Sequence, residues 1–358
     1  MSEQPNSPYE HLPDVAFWRA GVQRCNPHSM LDLYRPKAPL GRADQIVTAG
    51  SCFAQHIAKR LRGSGYSVLD VEPAPKFLSV DIAREYGYGL YSGRYGNIYS
   101  TRQLLQLIEE ATGRVVPAHP VWEHSGRYYD AQRPSVEPSG LDSADEVVAH
   151  RQRHLAAVRR MLRLVDVFVF TMGLTEAWLD ADSGTVYPTA PGTIAGKYDP
   201  ERFLFKNFTY GEVKGDFLKA RRYIKRYRPD CRFILTVSPV PLTATATGSH
   251  VLRATTYSKS VLRAVAGDLH EEFDDIDYFP SYEIITNPAA RSSFFESNLR
   301  SVSSEGVESV MRAFFSAYDA GVDTKIDVSA VSGASNEPEA DFADDVVCEE
   351  MLLDAFAR

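Results

Sequence analysis

Two kinds of apolar pattern alternate along the chain. Continuous apolar runs read as strands: QIVTAGSC (45–52), YSVLDVE (66–72), DVFVFTMG (166–173), CRFILTVSP (231–239) and IDYFPSYEII (276–285). Between them apolar residues recur at helical spacing, as Phe53, Ile57, Ala58 and Leu61 do in FAQHIAKRLRGSGY, where Gly63 and Gly65 mark the stop. Further helices are predicted over STRQLLQLIEEAT (100–112, capped by Ser100 or Thr101), 143–164, YGEVKGDFLKARRYIKRYRPD (210–230), TTYSKSVLRAVAGDLHEEF (255–273) and SSEGVESVMRAFFSAYDA (303–320). The result is a strand–helix unit repeated about five times, interrupted by a hairpin or loop excursion over 180–212. That pattern predicts a doubly wound α/β sheet with ligands bound at the carboxyl ends of its strands.

Outside the repeating part, residues 1–43 read as an irregular arm, 44–320 as the α/β domain, and 321–358 as an acidic disordered linker with a short C-terminal helix that docks on a protein partner or elsewhere. The 358 residues, 44% hydrophobic and 24% charged, are ample for a sizeable core. A net charge of −8 argues against nucleic acid as the main partner, since phosphate binding needs a basic face. No membrane span and no secretory leader is legible, so the expected location is cytoplasmic. The four cysteines, Cys25, Cys52, Cys231 and Cys348, form no CxxC pair, and neither a metal site nor a disulfide framework is expected.

Parallel strands would bring four segments to one edge: Gly50-Ser51-Cys52, Gly173-Leu174-Thr175-Glu176, Ser238-Pro239-Val240-Pro241 and Pro280-Ser281-Tyr282-Glu283. Cys52 falls at the start of the first helix, where free N–H groups and the helix dipole favour a thiolate and can also hold an oxyanion. The alternative is a small buried Cys52 with Ser51 as a helix cap. His56, one turn on, and His250, in the connection after Leu242, are two candidate bases; the alternatives are a packing histidine at 56 and an exposed loop histidine at 250.

The string TAGSCFAQHIAKRL resembles the signature of the GSCFA family, and RYGNIYSTRQLLQL, FTMGLTEAW, LTVSPVPLTAT, YSKSVLRA and YFPSYEI resemble the same family in order. The family is grouped with SGNH, or GDSL-type, hydrolases. The resemblance therefore implies a three-layer α/β fold with a parallel, flavodoxin-like sheet and a loop or hairpin insertion. In that pattern Gly-Asp-Ser becomes Gly50-Ser51-Cys52, which places Cys52 at the nucleophile, with Ser51 the one-residue alternative. Gly96, beside Asn97, matches the oxyanion glycine, and Gly173-Leu174-Thr175-Glu176 matches Gly-x-Asn-Asp, with Thr175 replacing the oxyanion Asn. The final Asp-x-x-His becomes Asn298-Leu299-Arg300-Ser301, so both charged partners are missing. A thiol tolerates that loss better than a hydroxyl, being partly ionised near neutral pH.

Glu176 and Glu283 are candidates to orient a base or bind a sugar hydroxyl, Tyr282 and Trp178 to line an acyl or sugar pocket, and Arg300 to bind an anionic group. The expected activity is that of an esterase or O-acyltransferase acting on a small-molecule or carbohydrate substrate, with a sugar or polysaccharide precursor among the candidates. No cofactor is required; acyl-CoA is a candidate donor, although no nucleotide fingerprint is present. The competing expectation is a catalytically degenerate relative that binds a carbohydrate or a protein.

Overall fold

The computed structural model describes residues 7–319 and 348–357, which group into two units: 37–279 with 348–357, and 7–36 with 280–319. Most of the acidic linker, residues 320–347, lies outside the described residues.

The larger unit runs β1 (Ile46–Gly50), α1 (Phe53–Gly63), α2 (Val80–Glu85), α3 (Thr101–Ala111), β2 (Val121–His124), β3 (Arg127–Asp130), α4 (Ala144–Leu164), β4 (Val167–Met172), β5 (Glu176–Asp180), β6 (Val186–Tyr187), β7 (Phe203–Asn207), α5 (Tyr210–Tyr227), β8 (Arg232–Val237), α6 (Val251–Glu272) and β9 (Ile276–Tyr278). Strands β1, β4, β8 and β9 form one parallel sheet in that order, with Gly50 opposite Thr171 and Thr171 opposite Thr236. Both faces of β4 are buried, as parallel sheets require. Helix α1 packs on β1 and β4, and α6 on β8 and β9. Phe170 stacks on Phe217 of α5 at 6.4 Å, and Phe168 meets Phe233 at 6.2 Å. The fold is a mixed α/β architecture with a parallel sheet between helices.

Four departures from the sequence reading have physical causes. The strand expected at 66–72 shrinks to a single bridge, Val68 to Ile46, held by Ile46 N–H to the Ser67 carbonyl and Leu69 N–H to the Ile46 carbonyl. Counting that bridge, the spatial order is that of a flavodoxin-like sheet. The strand expected at 276–285 stops at Tyr278, because Pro280 brings no N–H and starts a helix instead. An unread hairpin, β2–β3, turns on Ser125 and Gly126, both at positive φ (51° and 76°), the two-residue geometry that suits strand twist. Helix α6 begins at Val251, four residues before the expected Thr255. The excursion is a small antiparallel sheet, β6-β5-β7, with Trp178 paired to both Tyr187 and Phe205. Ser100 caps α3 in a full capping box with Gln103.

The smaller unit holds α7 (Ser281–Thr286), α8 (Ser304–Asp319) and short helical turns of the arm. Tyr34 stacks on Phe314 and its hydroxyl meets that of Tyr318 at 2.7 Å. No described helix is long and apolar enough to cross a membrane.

Candidate functional site

Gly50 makes the strand-to-helix corner. Its φ of +142° is poorly suited to a side chain, and a Cβ there would lie 2.4 Å from the Thr171 carbonyl oxygen. The corner turns at once into α1: Ser51 N–H donates to Thr171 O at 3.1 Å, and Gln55 N–H to Cys52 O at 3.1 Å. Cys52 stands at the N-cap of α1, 5% exposed.

The segment 91–99 closes over this corner. Ile98 N–H donates to Gly50 O at 2.8 Å, while the Tyr99 carbonyl accepts from Gly173 N–H at 2.9 Å and Leu174 N–H at 3.1 Å. Residues 98 and 99 thus stitch the loop after β1 to the loop after β4. A Cβ on Gly173 would meet the Ser51 Cβ at 2.9 Å, so these two loops touch only because residue 173 is glycine. Asn97 Oδ1 accepts from Gln55 Nε2 at 3.2 Å and from the Tyr91 hydroxyl, which also lies 3.1 Å from the Ser51 carbonyl. With its oxygen so engaged, the Asn97 amide presents Nδ2, and Nδ2 donates to the Glu349 carboxylate. Burial pushes the Tyr91 and Tyr99 hydroxyls well above their ordinary pKa, with the neighbouring Cys52 adding to the shift in both. Both therefore stay protonated, as donors.

A buried ionic network braces this segment from behind. Arg94 Nη2 reaches the Tyr86 and Val136 carbonyls and Glu137, Arg133 Nη1 donates to Arg94 O at 3.0 Å, and Arg133 and Arg151 share Asp130. Glu72 accepts from Arg94 N–H and lies 2.7 Å from His154 Nδ1. His154, on α4, is fully buried.

A small cavity opens where β1, β4 and β8 end. Ser51, Cys52, Tyr99, Gly173, Leu174, Ser238, Leu242, Lys259 and Glu350 are among its lining residues. At about 10 Å³ it is near the volume that admits a single water. Tyr99, Leu174, Leu242 and Glu350 also line a second, larger and mostly apolar cavity of about 210 Å³, walled by Trp178, Tyr187 and Phe205 from the inserted sheet. Trp178 is thus a pocket-lining aromatic.

The structure gathers some of the sequence candidates and separates others. Ser51, Cys52, Gly173 and Asn97 surround the corner. Ser51 Oγ is buried with no hydrogen-bond partner among the described residues. Gly96, at φ +69°, lies beside Glu349 and Ser135. Thr175 is fully buried, and its hydroxyl donates to Asn207 Oδ1 at 2.6 Å. Glu176 accepts from the Thr245 hydroxyl at 2.7 Å, and burial raises its pKa. It lines the larger cavity. His56 is half-buried, edge-on to Phe53 at 5.7 Å. His250 is exposed and caps α6, its Nδ1 accepting from Leu252 N–H at 3.1 Å.

Tyr282, Glu283 and Arg300 belong to the smaller unit. Tyr282 and Glu283 sit on α7, where burial raises the Tyr282 hydroxyl. Asn298 Oδ1 accepts from the N–H groups of Arg300 and Ser301, both at 2.9 Å, and Asn298 Nδ2 donates to Ser301 Oγ at 3.0 Å. The positions of the usual Asp and His are therefore tied to one another in a local turn. Among the described residues no cluster of three His, Cys, Asp or Glu is gathered to hold a metal ion.

Lys259 and the tail residues Glu349 and Glu350 went unread. Lys259 is 2% exposed, and its Nζ donates to Gly173 O at 2.6 Å. Its signal was a lysine in phase with the buried positions Ser258, Leu262, Val265, Ala266 and Leu269 of α6.

The class is a mixed α/β protein with a parallel sheet, whose corner glycine sets a buried cysteine in the wall of a small cavity. The GSCFA family model matches residues 45–314, and the chain belongs to the GSCFA family. No curated protein and no solved structure matches it.

Proposed function

We propose that the protein is an esterase or O-acyltransferase that works through Cys52. The observation that carries the reading is the presence of Cys52 and Lys259 in one cavity at the carboxyl ends of β1, β4 and β8. A buried ammonium near a thiol at a helix N-terminus favours the thiolate. Lysine is a known substitute for histidine beside a nucleophile. In the reaction the Cys52 thiolate attacks an ester or thioester carbonyl, and the carbonyl electron pair moves to oxygen. Collapse restores the carbonyl and expels the alkoxide or thiolate, which takes the proton carried by Lys259. Water or an acceptor hydroxyl then attacks the Cys52 thioester and gives up its proton to Lys259; collapse of that adduct releases the acid or the new ester and expels the Cys52 thiolate, restoring the starting pair.

The apolar cavity, which shares Tyr99, Leu174, Leu242 and Glu350 with the small one and is walled by Trp178, Tyr187 and Phe205, suits an acyl group or the face of a sugar. A reducing, cytoplasmic setting suits both a free thiol and a thioester donor such as acyl-CoA. The test is steady turnover of p-nitrophenyl acetate. Cys52→Ala should lower it by about a thousandfold or more and Lys259→Met by about a hundredfold. Full turnover in Cys52→Ala would end the reading. The second reading, a binding module for a carbohydrate or a protein, is favoured by the local turn that absorbs Asn298 and Ser301. It predicts no turnover and saturable binding unaffected by Cys52→Ala.

A further inference from the structure

The C-terminal segment Glu349–Phe356 is a short 3-10 helix, and its first residue points inward. Glu349 is 4% exposed, an unusual state for a carboxylate. Asn97 Nδ2 and the Tyr99 hydroxyl both donate to Glu349 Oε2, the latter at 2.7 Å, and Ser135 Oγ donates to Oε1. Two neutral donors converging on one oxygen, held by the Gly96–Tyr99 segment that is stitched to the Cys52 corner, form a site built for an oxyanion or a carboxylate. Glu350 lines the small cavity together with Cys52, and Leu353 adds to the wall of the apolar one.

We infer that Asn97, Tyr99 and Ser135 form an anion-accepting subsite for a substrate carboxylate or reacting oxyanion, which the chain fills with its own Glu349. The tail is therefore a displaceable plug, and the site beneath it is closed until the tail leaves. The inference rests on the Cys52 reading for the meaning of the subsite; whether the tail covers Cys52 is independent of turnover. The donors are three and neutral, and Asn97 is oriented by Gln55 and Tyr91, so the subsite persists when Glu349 withdraws. The ligand class is an acyl compound with a negatively charged or strongly polarised oxygen next to an apolar group, matching the pairing of Glu349 with Leu353.

The experiment is iodoacetamide labelling of the full chain, resolved by peptide, together with amide exchange over 348–357. Glu349→Ala removes the charge-assisted hydrogen bonds and should speed Cys52 labelling about tenfold, with faster tail exchange and unchanged Cys231 labelling. Removing a negative charge can by itself ionise a nearby thiol. Leu353→Asp separates the two effects, because it adds a negative charge while loosening the tail. It too should speed Cys52 labelling and tail exchange. Unchanged or slower Cys52 labelling in Leu353→Asp, or tail exchange as slow in Glu349→Ala as in the parent chain, overturns the plug. Loss of p-nitrophenyl acetate turnover is not needed for either result, so a failed plug and a failed enzyme are told apart.

Discussion

At the end of β1, Gly50 takes a φ of +142° and delivers Ser51 and Cys52 into a cavity. At the end of the adjacent β4, the side chains of Thr175 and Glu176 are hydrogen-bonded instead to Asn207 and Thr245. Both loops leave the same edge of one sheet. Position at the carboxyl edge therefore does not by itself decide which side chains line the small cavity; the neighbouring hydrogen bonds also do. The β1 corner is shaped by backbone, with Ile98 and Gly173 pressed against it, whereas in the β4 loop the Thr175 side chain is tied to the inserted sheet through Asn207.

The largest effect is expected at the corner itself. Gly50→Ala forces a Cβ to within 2.4 Å of the Thr171 carbonyl at an unfavourable φ. It should cost about 3 kcal/mol or more in urea unfolding. A cost near zero would mean that the corner is not held as described.

Acid tests the network behind the corner. Burial, aided by nearby Arg133 and outweighing Glu72, lowers His154 from 6.5 to about 4. Between those values the unfolded chain takes up a proton that the folded chain refuses, so stability falls as pH falls. Over the window from 6.5 to about 4, the loss should total about 3 kcal/mol. Because lowered carboxylates such as Glu72 and Asp130 also lose stability as the pH falls, the difference in urea midpoints between the parent and His154→Gln at the two ends of the window measures the His154 share.

The smallest effect belongs to the β4 loop. Thr175→Val leaves Asn207 Oδ1 without its donor and should cost about 1–2 kcal/mol of stability while changing ester turnover less than about threefold. A large loss of turnover at unchanged stability would return Thr175 to the oxyanion role that its position suggests.

Much of this architecture could be read from spacing. The helical phase of Phe53, Ile57, Ala58 and Leu61 and the apolar runs of β4 and β8 fixed the sheet and its corner, because local burial imposes local periodicity. The second strand misled because its apolar run makes only one bridge, to Ile46. Lys259 was readable as a charge on an apolar helix face. The Glu349 contacts were not: Asn97 lies 252 positions away, and nothing in CEEMLLDAF marks one acid as buried. That Thr175 is tied to Asn207, and that Glu176 is held by Thr245 at the wall of the larger cavity, depended on partners that spacing does not reveal.

The central claim is that the β1 corner carries a reacting thiol, and the most direct measurement is the mass of the protein trapped during p-nitrophenyl acetate turnover. One acetyl group is expected on Cys52, appearing before steady release and absent from Cys52→Ala. Turnover with no acetyl on Cys52, or with the acetyl on Ser51, would contradict it.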